Sequence, residues 1–138
     1  MTQPALVIKR TVKATRKKIF EAWTQGALLE KWFMPLSVTS VKVKNELREG
    51  GHYQIDMTTA EGDVYVHTGE YKKIIPNEKL VFTWNSDWAN NTRVTVELKD
   101  AGDGTEITLT HEMLPTVDTR DEHQRGWTSI FDKLEQFF

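Results

Sequence analysis

The chain has 138 residues, 38% hydrophobic and 28% charged, with a formal net charge of −2 and no cysteine. That length supports one domain with a substantial core. The near-neutral charge argues against a nucleic-acid ligand, which needs a basic patch. The missing cysteines exclude disulfides, thiolate zinc sites and thiol nucleophiles, and fit a reducing compartment. "MTQPALVIKR" at the start has no apolar signal region, and no later apolar run is long enough to span a bilayer, so a cytoplasmic protein without membrane contact is expected.

Residues 5–12 alternate loosely and read as a first strand. Thr15 caps a helix whose apolar face is Ile19, Phe20 and Trp23, and Gly26 breaks it. A second short helix, residues 27–33, ends before Pro35. Residues 38–47 form a strand with Val41, Val43 and Leu47 on one side. After a Gly50-Gly51 turn, Tyr53, Ile55 and Met57 alternate along the next strand, and "AEGD" (Ala60 to Asp63) reads as a hairpin turn. A long strand over residues 64–75 is interrupted at Gly69, where a bulge or a close backbone approach is expected. Beyond the Pro76-Asn77 turn come strands at 79–85, 92–100 and 105–112, the last two joined by "AGDG" (Ala101 to Gly104).

The period then changes. Trp127, Ile130, Phe131, Leu134 and Phe138 stand at i, i+3, i+4, i+7 and i+11, one stripe of a helix. Thr119 with Glu122 reads as the capping box of that helix. Gly126 inside it costs ~1 kcal/mol relative to Ala, which suggests a strand or side chain passing very close. The order is β-α-α-β-β-β-β-β-β-α in one domain, residues 1–138. A meander of that size must cover one face, and the terminal helix is the only long cover available. The space between sheet and helix is either packed solid or a ligand pocket.

Five tryptophans bear on that alternative. Trp32 ends the second helix, beside Phe33; Tyr53 and Met57 share one strand face; Phe82 and Trp84 share another; Trp127 and Phe131 lie on the helix stripe. Rings of this kind build cores and also line apolar pockets. Trp88, in the polar loop "NSDWANN" (Asn85 to Asn91), reads as a lid or a partner contact. His111 shares a strand face with Ile107 and Leu109 and points inward, either as a hydrogen-bonded core histidine or as a ligand contact. The facing of His67 cannot be derived across the Gly69 interruption, while His52 and His123 read as solvated. No metal or cofactor is implied by the spacing of the four histidines, and no motif activates a serine. Glu46, Asp56 and Glu112 default to the surface.

The segments "KWFMP" (Lys31 to Pro35), "ELREGGHY" (Glu46 to Tyr53), "HTGEY" (His67 to Tyr71), "PNEKLVFTW" (Pro76 to Trp84), "GTEITLTHE" (Gly104 to Glu112) and "RGW" (Arg125 to Trp127) span nearly the whole chain. In that order and spacing they resemble the heat-shock-protein ATPase-activator homologues, within the SRPBCC or START-like superfamily. Thr15 and Gly26 stand where relatives often carry proline. The resemblance implies an α+β helix-grip fold, a curved antiparallel sheet wrapped around a long C-terminal helix and a cavity that the superfamily uses for lipids, sterols, polyketides and plant hormones. The function expected on this basis is noncatalytic binding of a small apolar or amphipathic molecule. The ligand residues would be Trp32, Tyr53, Met57, His67, Phe82, Trp84, His111, Trp127 and Phe131. An enzyme of cyclase or hydrolase type, with His111 or His67 as acid and base, is the second reading. A module that binds a chaperone partner is the third.

Overall fold

A computed structural model describes residues 4–86 and 89–138. Trp88 therefore lies outside the described residues. Seven strands form one antiparallel sheet: β1 (Leu6–Val12), β2 (Val38–Asn45), β3 (His52–Thr59), β4 (Val64–Ile75), β5 (Lys79–Trp84), β6 (Thr92–Ala101) and β7 (Gly104–Glu112). Their order across the sheet is β1-β7-β6-β5-β4-β3-β2. The six strands after the second helix are thus the expected meander, and β1 adds to its far edge by pairing with β7 from Leu6↔His111 to Val12↔Thr105.

Two short helices, α1 (Arg16–Thr24) and α2 (Gly26–Trp32), carry the chain from one sheet edge to the other. Thr15 caps α1 as expected, accepting from the Lys18 N–H at 3.2 Å. The break falls at Gln25, and Gly26 opens α2. At the β2 edge the Glu30 carboxylate accepts from the Val43 N–H at 2.9 Å, and the Asn45 amide donates to the Thr24 carbonyl at 2.7 Å. The first of these occupies an N–H that an edge strand otherwise offers to a foreign chain. β2 stops at Asn45, so Leu47 leaves the expected apolar row and is exposed.

The sheet curls around α3 (Val117–Phe137) to give the helix-grip fold. This helix starts earlier than the Thr119–Glu122 pattern suggests. Thr116 is the cap, accepting from the Thr119 N–H at 3.1 Å, and Glu122 pairs instead with Arg125. The stripe Trp127, Ile130, Phe131 and Leu134 is buried, but Phe138 lies past the helix end and is 41% exposed.

Gly69 marks a close approach, not a bulge. A Cβ there would stand 2.0 Å from the Thr83 carbonyl oxygen and 2.5 Å from the Tyr53 ring. The Tyr53 ring crosses this gap so that its hydroxyl donates to that carbonyl at 2.6 Å. The irregularity in β4 sits further on, between Tyr71 and Lys73. Gly126 departs from expectation in the other direction: apart from its chain neighbours and the helix's own backbone, the described atom within 4 Å of a Cβ built there is the Pro35 Cβ, at 3.8 Å. Nothing among the described residues passes close.

Candidate functional site

The interior is neither wholly filled nor wholly hollow. Alternation points Tyr53, Ile55, Met57 and Thr59 of β3 inward, together with Tyr65, His67 and Tyr71 of β4 and Leu80, Phe82 and Trp84 of β5. One end of these strands is closed by rings: Tyr53 lies 5.6 Å from both Tyr71 and Phe82. Trp23, Trp32, Phe33 and Trp127 continue that cluster, with Trp23 and Trp32 centred 4.9 Å apart and Phe33 and Trp127 5.6 Å apart.

The other end holds a cavity of about 550 Å³ that opens to solvent. Met57 and Thr59 of β3, Tyr65 and His67 of β4, and Trp84 with Ser86 form its sheet side. Trp127, Ile130, Gly126, His123, Glu122, Thr119 and Asp118 line it from the first two-thirds of α3, and residues 35–38 close a third side. That third wall is held in place: the Leu36 N–H donates to Ser129 Oγ on α3 at 3.0 Å, with Leu36 at φ 48°. A leucine in the left-handed region costs ~1 kcal/mol, so the contact offsets real strain.

The floor is organised by a directional hydrogen-bond chain. Indole nitrogen can only donate, so the Trp127 Nε1–H, 3.0 Å away, makes Nδ1 of His111 the acceptor. Nε2 of His111 then carries the hydrogen and donates to Thr92 Oγ1 at 2.8 Å. The Thr92 hydroxyl in turn donates to the Trp84 carbonyl at 2.7 Å. Both nitrogens of His111 are thereby committed, and burial, with a smaller contribution from His123, lowers its pKa to about 3. It is a neutral core histidine that fixes the Trp127 ring.

His123 is the residue the strand and stripe reading placed wrongly. It is not solvated but half-buried on the cavity wall, with its ring 5.1 Å from that of His111. Its Nδ1–H donates to the Thr119 carbonyl at 2.7 Å, which leaves Nε2 as the accepting nitrogen. Burial, the largest influence, lowers its pKa. On the opposite wall the His67 ring stacks at a tilt on Trp84, with centroids 4.8 Å apart.

Of the nine expected ligand residues, Met57, His67, Trp84 and Trp127 reach the wall. Tyr53 and Phe82 stand in the closed ring seam, and Trp32, His111 and Phe131 are buried away from the cavity. Thr59 and Tyr65 escaped notice although they share the parity of Met57 and His67. His123 lies one turn before Trp127, so extending the stripe backwards would have found it.

Two wall residues carry polar atoms that are themselves out of reach of solvent. Thr59 Oγ1 and Trp84 Nε1 are buried and have no hydrogen-bond partner among the described residues. Each such group costs ~1–3 kcal/mol. Among the described residues the wall carries no Lys or Arg, and its carboxylates are Asp118 and Glu122. No group of three or more His, Asp or Glu among the described residues is placed to hold a metal ion. No helix among them is long and apolar enough to cross a membrane.

The family model described as Activator of Hsp90 ATPase homolog 1-like protein matches residues 13–138. The chain belongs to this family. A search of curated proteins returns no match. Among solved structures, this activator-homologue chain resembles protein CV1439 from Chromobacterium violaceum, at TM-score 0.86 and 20% identity, covering 96% of this chain and 95% of that one. It resembles the AHSA1 protein of Silicibacter pomeroyi at TM-score 0.81 and 23% identity, over 96% of both chains. DynU16, a protein of the dynemicin biosynthetic locus, gives TM-score 0.80 at 16% identity, with 98% of this chain covering 47% of that one. At these identities the likeness shows a shared fold.

Proposed function

We propose that this activator-homologue domain binds a small, uncharged, apolar or amphipathic molecule in the cavity under the first two-thirds of α3. The observation that carries the reading is the cavity itself: about 550 Å³ with Met57, Trp84, Trp127 and Ile130 on its wall. Ligand sites of this size are mostly apolar with a few polar groups that set orientation. Tyr65, Thr119 and His123 bring such groups to the wall.

The charge of the ligand follows from the wall. A carboxylate drawn inside would lose water and meet no wall cation among the described residues, while Asp118 and Glu122 repel it. A cytoplasmic location, read from the cysteine-free composition, belongs to the same reading.

The test uses two matched probes, 2-acetylnaphthalene and 2-naphthoate, followed by quenching of tryptophan emission. The ketone should quench saturably and bind at least tenfold tighter than the carboxylate. Absence of saturable quenching by the ketone would remove the basis of the proposal. A second reading, acid–base catalysis of cyclase or hydrolase type, is favoured by one observation: His67 and His123 stand on opposite walls of the same cavity. It requires turnover of a bound compound with a pH dependence that His123→Gln abolishes.

A further inference from the structure

Gly126 is a costly residue of α3 that no protein contact among the described residues explains. A glycine inside a helix is less favourable than alanine by ~1 kcal/mol. Proteins retain such a residue where the backbone needs a positive φ or where a neighbour leaves no room for a Cβ. Neither condition holds here. Gly126 lies within the continuous helix Val117–Phe137 and has no positive φ. A Cβ would meet only the Pro35 Cβ at 3.8 Å, an ordinary contact. By contrast, Gly69 and Gly51 would each bring a Cβ to about 2 Å from a backbone oxygen, at 2.0 and 2.1 Å. Those two are required by packing, and Gly126 is not.

What Gly126 does border is the cavity, between His123 and Trp127 on one side and Pro35 on the other. A side chain at this position would leave the helix past Pro35, where, apart from its chain neighbours and the helix's own backbone, the described structure has no other atom within 4 Å of the Cβ. The space it would take is cavity space. The neighbouring wall positions on α3 already carry large or polar side chains: Glu122, His123, Trp127 and Ile130. Among the described residues of the helix wall, Gly126 is thus the position at which the backbone itself faces the opening.

We propose that Gly126 sets the size of ligand the cavity admits, its missing side chain leaving room for the bulkier part of an uncharged ring compound. The inference rests on the ligand-binding reading above and adds to it the residue that decides bulk. It accounts for the helix cost: stability is given up at a position where only a ligand would occupy the vacated volume. Stability lost at a binding site in this way is a common trade between activity and folding.

The experiment compares wild type with Gly126→Ala and Gly126→Leu, using 2-acetylnaphthalene as a two-ring probe and 1-acetylpyrene as a four-ring probe. Thermal melting is recorded on the same samples. Gly126→Ala should raise Tm by a few degrees, as expected for ~1 kcal/mol in a domain of this size. It should weaken 1-acetylpyrene at least fivefold and leave 2-acetylnaphthalene within twofold. Gly126→Leu should weaken 1-acetylpyrene at least thirtyfold without lowering Tm. Equal loss of both probes, or unchanged affinity for both, would overturn the proposal, because neither outcome depends on ligand bulk. A lower Tm in Gly126→Ala would overturn it too, showing that the glycine serves packing after all. If neither probe binds the wild-type protein, the ligand-binding reading itself fails; a wild type that binds both probes while the variants fail to discriminate them sinks only the role of Gly126.

Discussion

The two halves of α3 face the same sheet and meet it differently. In the second half Phe131 and Leu134 are fully buried, and Arg10 on β1 bonds Asp132 at 2.8 Å and Glu135 at 2.9 Å across the seam. The Arg10 guanidinium also stands 5.9 Å over the Phe131 ring. In the first half the helix offers Asp118, Glu122, His123 and Gly126 to a cavity, and the sheet answers with Thr59, Tyr65 and His67. One helix therefore both closes a core and borders a cavity. The buried stripe alone does not separate the two: Trp127 and Ile130 line the cavity, whereas Phe131 and Leu134 pack against the sheet. Trp127 stands at the join, and His111 holds it there.

Truncating a side chain in each half gives the widest separation. Leu134→Ala should cost ~3–5 kcal/mol in denaturant unfolding, because the cavity it leaves is sealed on all sides. Met57→Ala removes a side chain of similar size from a wall that already borders open space, and should cost ~1–2 kcal/mol, with less new void created. Equal losses in the two variants would mean that the two ends are packed alike and that the cavity is closed in solution.

Acid should act next most strongly, through the join. Burial depresses the folded pKa of His111 from the ordinary histidine value of 6.5 to about 3. A depressed folded pKa means the unfolded chain binds the extra proton first, so stability is complete above pH ~6.5 and falls as pH drops toward 3. The loss attributable to this one group is about 2 kcal/mol by pH 5. Unfolding of wild type and His111→Phe from pH 7.5 to 4 isolates it, since carboxylates contribute equally to both. His111→Phe should be less stable at pH 7 by ~2–4 kcal/mol, with the Trp127 N–H left unpaired and the Thr92 oxygen losing its donor, and should lack the wild-type excess slope. Affinity per folded molecule should not change. Parallel pH profiles for the two proteins would refute the buried-neutral assignment.

The smallest effect is expected at the hollow end. Thr59→Val removes a buried hydroxyl without a partner among the described residues and keeps the β-branched shape. Stability should be unchanged or rise by up to ~1 kcal/mol. Affinity for 2-acetylnaphthalene and for naphthalene should both stay within twofold, because the hydroxyl does not open into the cavity. A marked loss of stability would show that the hydroxyl has a protein partner in solution.

Strand and helix membership was legible because each element repeats its pattern. Tyr53, Ile55 and Met57 alternate, and Trp127, Ile130, Phe131 and Leu134 recur at helical spacing, so both faces could be assigned from the chain alone. Gly69 was legible as a disturbed position, but whether as bulge or close approach depended on where the Tyr53 ring lies. The helix start was misjudged by one turn because Thr116 and Thr119 both suit a cap, and local sequence does not rank them. The site was legible only in part. Met57, Trp84 and Trp127 could be named as aromatic or inward residues, and His67 without its facing, whereas Trp32 and Phe131 look the same in sequence and lie in packed core.

Element order, the antiparallel meander, the inward faces of β3 and β7 and the family were all written in the chain, because they depend on period, turn chemistry and motif order along it. Tertiary packing settled which buried rings touch one another and which face empty space. It also settled that His111 is spent on Trp127 and Thr92, that His123 reaches the wall, and that Gly126 is open rather than crowded. The physical reason is common to all four. Burial and polarity are properties of a residue's own pattern, but a cavity is the absence of a neighbour, and neighbours here come from strands and helices tens of residues apart.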